Sequence, residues 1–151
     1  MTSPFDPRSI LLAKHAQHVL LVHFPIALFL TGTLFDFAAK FTRRAALANA
    51  ARLNTTVAAF STLPVVVTGL LAWRWQLEGV SLRGNLLLHL CLGAASALLI
   101  CWFAWLRRKS LQVRRTGFLP GYLLAFEFVV AAAVAMTAHV GGIVSGVAGA
   151  G

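Results

Sequence analysis

Acidic residues are scarce in this chain. Asp6, Asp36, Glu78 and Glu127 are the four present, against 13 Lys and Arg in 151 residues, for a formal net charge of +9. Only 11% of the residues are charged and 59% are hydrophobic, whereas a soluble domain has about 25% charged residues. A chain this short cannot enclose that much apolar surface in one water-facing globule, so an ordinary soluble domain is excluded. Cysteine is nearly absent. Cys91 and Cys101 fall on one helical stretch, about 15 Å apart at 1.5 Å per residue, and cannot pair with each other. No disulfide framework and no CxxC motif exist. Glycine-rich nucleotide loops, a Ser/His/Asp set and an HExxH motif are also missing, which leaves hydrolysis and phosphoryl transfer without support. The basic excess does not read as nucleic-acid binding, because it lies between apolar runs with no interleaved stacking aromatics.

What the sequence has in abundance is long hydrophobic runs. After a tail over 1–15, the runs predict four membrane spans, at about 16–39, 54–75, 85–106 and 118–140. The first is too long for a signal-peptide core and has no Ala-x-Ala cleavage site, so it reads as a retained span. Residues 40–53, with Lys40, Arg43, Arg44 and Arg52, read as a connecting loop, partly helical along the membrane surface. Pro64 predicts a kink in the second span. Gly141-Gly142 ends the fourth, and 141–151 read as a flexible tail. The loops after spans one and three hold nine Lys and Arg; the opposite side holds Arg8, Lys14, Arg74 and Arg83. The richer side stays in the cytoplasm, which puts both termini on the extracytoplasmic side of a bacterial-type inner (cytoplasmic) membrane. Short connections make antiparallel neighbours. The expected fold is an all-α, up-down four-helix transmembrane bundle, with no internal repeat between its two hairpins.

This topology brings every histidine toward one face. His15, His18 and His23 open span one, His89 lies near the outer start of span three, and His139 closes span four. By helix rise, His23 and His89 form a deeper pair, roughly 6–10 Å below the outer boundary. His15, His18 and His139 form a shallower group. Spans one and three are diagonal in a square bundle, a placement from which two imidazoles can take the two faces of one macrocycle. Gly93, one turn after His89, leaves room for a planar group. The same imidazoles also suit a small metal, and simple hydrogen bonding at the interface is the plainer reading of His15, His18 and His139.

Two acids lie in or beside lipid. Glu127 has no Lys or Arg at the centre of a span to meet it. The expectation is a protonated carboxyl or one bonded to Thr62, Thr68 or water, serving either as a proton relay or as an interhelical bond. Asp36 has Lys40 one turn later and reads as half of a surface ion pair. Gly69, Ala94, Ala95 and Ala131-Ala132-Ala133 suit close helix packing. Trp73 and Trp75, and Trp102 and Trp105, read as interface anchors.

The segment His15-Ala16-Gln17-His18-Val19-Leu20-Leu21-Val22-His23-Phe24-Pro25-Ile26-Ala27-Leu28 resembles the signature of a family of small membrane proteins, domain of unknown function 2231. Members read His-Pro-Leu-His-Pro-x-x-Val-His-Phe-Pro-Ile-Ala-Leu there. Thr68-Gly69-Leu70-Leu71 and Ala138-His139-Val140-Gly141-Gly142 are similar as well, so the resemblance spans residues 15–145. Ala16 and Val19 stand where the family has prolines, which favours a continuous helix. The resemblance implies four spans and a histidine-marked outer face. Some relatives are joined to cytochrome c-like modules, which implies a redox setting.

Two functional classes follow. The first is a b-type haem protein, with His23 and His89 as axial ligands, His18 and His139 in support or as the alternative pair, and Arg74 and Arg83 toward the propionates. Without a CxxCH motif the haem is non-covalent. It would exchange electrons with quinone or an extracytoplasmic cytochrome. The second is a copper, iron or zinc site built on His15, His18 and His139, for transport or sensing. A third reading makes the chain a structural subunit of a larger complex or homo-oligomer.

Overall fold

A computed structural model describes residues 14–75, 79 and 81–146, with the side chains of residues 14–16 and 75 outside that description. The helices are α1 (Lys14–Thr42), α2 (Ala45–Trp75), α3 (Gly84–Lys109), the short α4 (Leu111–Thr116) and α5 (Gly121–Val144). Four of them, α1, α2, α3 and α5, are long and apolar enough to cross a membrane, as the hydrophobic runs predict.

Several helices extend beyond the apolar runs. The expected loop over 40–53 is not a loop: α2 begins at Ala45, and Arg43 and Arg44 alone separate it from α1. Ala45 to Leu53 is rich in the strongest helix formers, and its amides find partners within the helix. The turn is made by Arg43, whose backbone adopts φ 55 and whose N–H donates to the Ala39 carbonyl at 2.9 Å. Gly141-Gly142 lies inside α5 and does not end it. In lipid no water competes for the backbone groups, so glycine is tolerated there. Helix α1 runs unbroken from Lys14 through Pro25, and α2 runs through Pro64. At the α4–α5 link, Gly117 takes φ 79 as the left-handed cap of α4, a conformation that favours glycine.

The spanning helices form a ring in which α1 packs on α2, α2 on α3, α3 on α5 and α5 on α1. Helices α1 and α3 therefore lie on one diagonal. Two close approaches define the ring. Gly32 of α1 rests against α2, where a Cβ would come within 3.2 Å of Thr55 Oγ1 and 3.4 Å of the Ala51 carbonyl. Across the diagonal, Phe29 and Phe103 meet edge to face with centroids 5.8 Å apart. Both are fully buried, among Ile100, Val130 and Val134. Outside the ring, Leu20, Phe24, Leu34, Phe60, Leu63, Leu98 and Phe128 are exposed, as suits side chains that face hydrocarbon. Trp102 and Trp105 are also exposed. The apolar centre separates two polar levels. One lies toward the end where α1 begins and α5 finishes (the terminal end). The other lies toward the end that carries Arg43, Arg44 and α4 (the basic-loop end).

Candidate functional site: an imidazole layer and a buried ion cluster

At the terminal end each hairpin holds one imidazole against a glycine. The His18 ring of α1 lies on Gly69 of α2, where a Cβ would stand 2.9 Å from its Cε1. The His89 ring of α3 lies on Gly141 of α5, again with a Cβ position 2.9 Å from Cε1. Any larger residue would push the ring away. The two glycines thus act as notches that set the two rings, at similar distances from the helix ends. Both histidines are half-buried.

Thr68 of α2 is a hydrogen-bonding neighbour of the His18 ring. Thr68 Oγ1 lies 2.8 Å from the Pro64 carbonyl and donates its proton to the backbone, with the Val65 carbonyl also near at 3.1 Å. His18 Nδ1 stands 3.3 Å from the same Oγ1. With the hydroxyl proton on the backbone, Nδ1 is placed to donate to Oγ1. That arrangement is how metal-ligating histidines are usually held, one ring nitrogen donating to the protein while the other binds the metal. His89 differs: its Nδ1 is buried and makes no hydrogen bond, although the Thr137 backbone is adjacent. One turn deeper, Thr137 and Ser96 hydroxyls bond at 2.8 Å across α5 and α3.

The other site candidates are distributed differently. His23 is exposed, with Nδ1 bonded to the Val19 carbonyl of its own helix. His139 is exposed. The side chain of His15 lies outside the described residues. At Gly93 a Cβ would meet Thr137 Cγ2 at 3.9 Å, an ordinary contact, and no histidine ring lies on it. Arg74 and Arg83 are exposed near the terminal end. Among the described residues no group of three His, Cys, Asp or Glu is placed to hold a metal ion.

The second polar level, toward the basic-loop end, joins all four spans. Arg107 of α3 forms a buried, two-pronged ion pair with Asp36 of α1 across the diagonal. Its Nη2 also donates to the Ala48 carbonyl of α2 at 3.2 Å. Asp36 is 3% exposed and Arg107 2%. This corrects the surface pairing of Asp36 with Lys40: the carboxylate points inward, and α3 extends far enough to bring Arg107 under the bundle. The fourth member is Glu127 of α5, 0% exposed, beside Asp36, Arg107 and Thr33. Thr62 and Thr68, its expected partners, are engaged elsewhere. Thr62 donates to the Ala59 carbonyl and stands 3.6 Å from Cys101 Sγ.

A family model described as "Predicted membrane protein (DUF2231)" matches residues 14–151. The chain belongs to this family. No curated protein and no solved structure matches it. In this DUF2231 chain, sequence reasoning missed two features. Gly69 read as a packing residue and Gly141 as a helix terminator, because nothing local says that a histidine fifty or more residues away will lie on them. Arg107 read as one of a run of loop cations. The signal available was an unbalanced one: Asp36 and Glu127 both lie within apolar runs, and buried acids need a cation from some helix end.

Proposed function

We propose that this membrane protein is an electron-transfer module that binds one haem b between its hairpins at the terminal end, with His18 and His89 as the axial ligands. The observation that carries the reading is the pair of matched cradles: one half-buried imidazole per hairpin, each seated on a glycine, on the two diagonal helices. A hydrogen bond from Nδ1 to Thr68 would orient the His18 ring as metal-ligating histidines are held. The His89 ring is held against α5, with Nδ1 buried beside the Thr137 backbone. His18 replaces His23 in the pair because His23 is exposed and bonded to its own helix. A haem iron supplies one-electron chemistry when bound. The chain's own contribution is to orient two rings, exclude water with the Phe29–Phe103 layer beneath them, and offer Arg74 and Arg83 near the surface for acidic substituents. With Lys40, Arg43, Arg44, Arg108, Lys109, Arg114 and Arg115 on or next to the two connections at the opposite end, the site would face the extracytoplasmic side, open to quinone or a cytochrome there.

Single replacements test the pairing. His18→Ala and His89→Ala should each abolish or convert a six-coordinate low-spin haem spectrum, and His23→Ala should leave it unchanged. A spectrum that survives in both of the first two variants contradicts the ligand assignment.

A further inference from the structure

The cluster toward the basic-loop end contains two buried groups with unused hydrogen-bonding capacity, Arg107 and Glu127. Arg107 uses Nη1 and Nη2 on Asp36 and Ala48, but its Nε makes no hydrogen bond. Neither oxygen of Glu127 makes a hydrogen bond of good geometry, although the residue is wholly enclosed and Asp36 and Thr33 lie beside it. A buried donor and a buried acceptor left unsatisfied are each expensive. Here one needs what the other offers. We infer that Glu127 is a proton-exchange site, and that Arg107 is a counter-ion shared between Asp36 and Glu127 as the proton leaves and returns. The inference does not depend on haem binding.

Charge balance explains the state observed. Asp36 and Arg107 neutralise each other, so Glu127 must carry a proton for the cluster to be neutral in a low-dielectric interior. The groups facing it are Asp36 and Thr33 from α1 and Arg107 from α3; α2 contributes the Ala48 carbonyl, bonded to Arg107. Asp36, Arg107 and Glu127 are the charged residues buried among the described ones. When the proton is released, the Glu127 O–H bond breaks, the electron pair stays on the carboxylate, and the proton passes to water. Arg107 then turns its unused Nε–H toward the new carboxylate while keeping a hold on Asp36, so that one guanidinium bridges two carboxylates. Uptake reverses each step. Glu127 is the seventh residue of α5, about 9 Å along the axis from its first residue, so the basic-loop end is the nearer surface, with the buried Leu119, Leu123 and Leu124 on that side. Toward the terminal end, the fully buried Phe29, Phe103 and Val130 close the way.

Infrared spectroscopy of the full-length protein in lipid reads the proton directly. At neutral pH the wild type should show the carbonyl stretch of a protonated, buried carboxyl. That band should shift down in D2O and be lost in Glu127→Gln. In Glu127→Asp, which keeps the group, it should persist at an altered frequency. Asp36→Asn supplies the sharper test, because it frees Arg107 for Glu127. The band should disappear there too, replaced by a carboxylate signal. If the wild type has no such band, or the band is insensitive to D2O, the exchange site is refuted. A band that persists in Glu127→Gln refutes the assignment to Glu127, and one that persists in Asp36→Asn refutes the sharing of Arg107. Should the Gln variant fail to fold, the D2O shift in the wild type and the Asp variant still decide between the outcomes.

Discussion

At the scale of single residues, the two imidazole–glycine contacts make opposite demands on chemistry and packing. A glycine within a helix costs about 1 kcal/mol relative to alanine, yet Gly69 and Gly141 hold positions where a Cβ would overlap a histidine ring. Gly69→Ala or Gly141→Ala should displace the ring it cradles. Because an imidazole is the movable end of a side chain, the fold should survive, while the haem spectrum should shift or weaken. Gly93→Ala is the matched control, since its nearest contact would be 3.9 Å away. It should leave both stability and spectrum unchanged. A stronger effect at Gly93 than at Gly69 and Gly141 would contradict the cradles. Arg107 makes a second residue-scale case. Arg107→Met removes the cation and leaves Asp36 charged and enclosed. Loss of one partner from a buried pair costs about 3–5 kcal/mol, so thermal unfolding in detergent should occur at a markedly lower temperature. Lys40→Met should have a small effect, because Asp36 does not use Lys40.

At the scale of elements, the α1–α2 interface depends on close approach. Gly32 lies 3.2–3.4 Å, measured from its Cβ position, from Thr55, Ala51 and Asn54, and Ala39, Ala48, Ala51 and Ala58 are buried along the same helices. Membrane helices gain little from hydrophobicity when they associate and rely on packing of small residues. Gly32→Leu should separate the pair. The expected cost is about 1–3 kcal/mol or more, read as a lower melting temperature, and Leu34→Ala on the exposed side of α1 should have almost none. The number, order and apolar character of the spans were legible in the sequence, because apolar run length reports directly on bilayer thickness. Helix ends were less legible. The run 45–53 mixes alanine with Arg52 and Asn49, so hydropathy fell while helix propensity stayed high. Rotation about each helix axis was not legible at all. It decides whether His18 or His23 faces the interior, and it depends on contacts between α1 and α2 that no local pattern encodes. The same limit hid the pairing of Asp36 with Arg107.

At the scale of the whole molecule, the bundle has two polar levels separated by an apolar layer. The imidazoles lie toward the terminal end and the Asp36–Arg107–Glu127 cluster toward the other. The basic connections predict which level faces the cytoplasm. In a chain lacking Cys91 and Cys101, a cysteine placed at exposed Ser81 should react with a membrane-impermeant reagent from outside the cell, and one at exposed Gln112 should not. The reverse labelling would transfer the imidazole layer to the cytoplasmic side. The reduced-minus-oxidised absorption spectrum of the full-length wild-type protein, produced with ample haem and purified in mild detergent, tests the central claim most directly. Ligation by His18 and His89 predicts the sharp bands of a six-coordinate low-spin b-type haem at about one per chain; a protein purified folded and free of haem would contradict it.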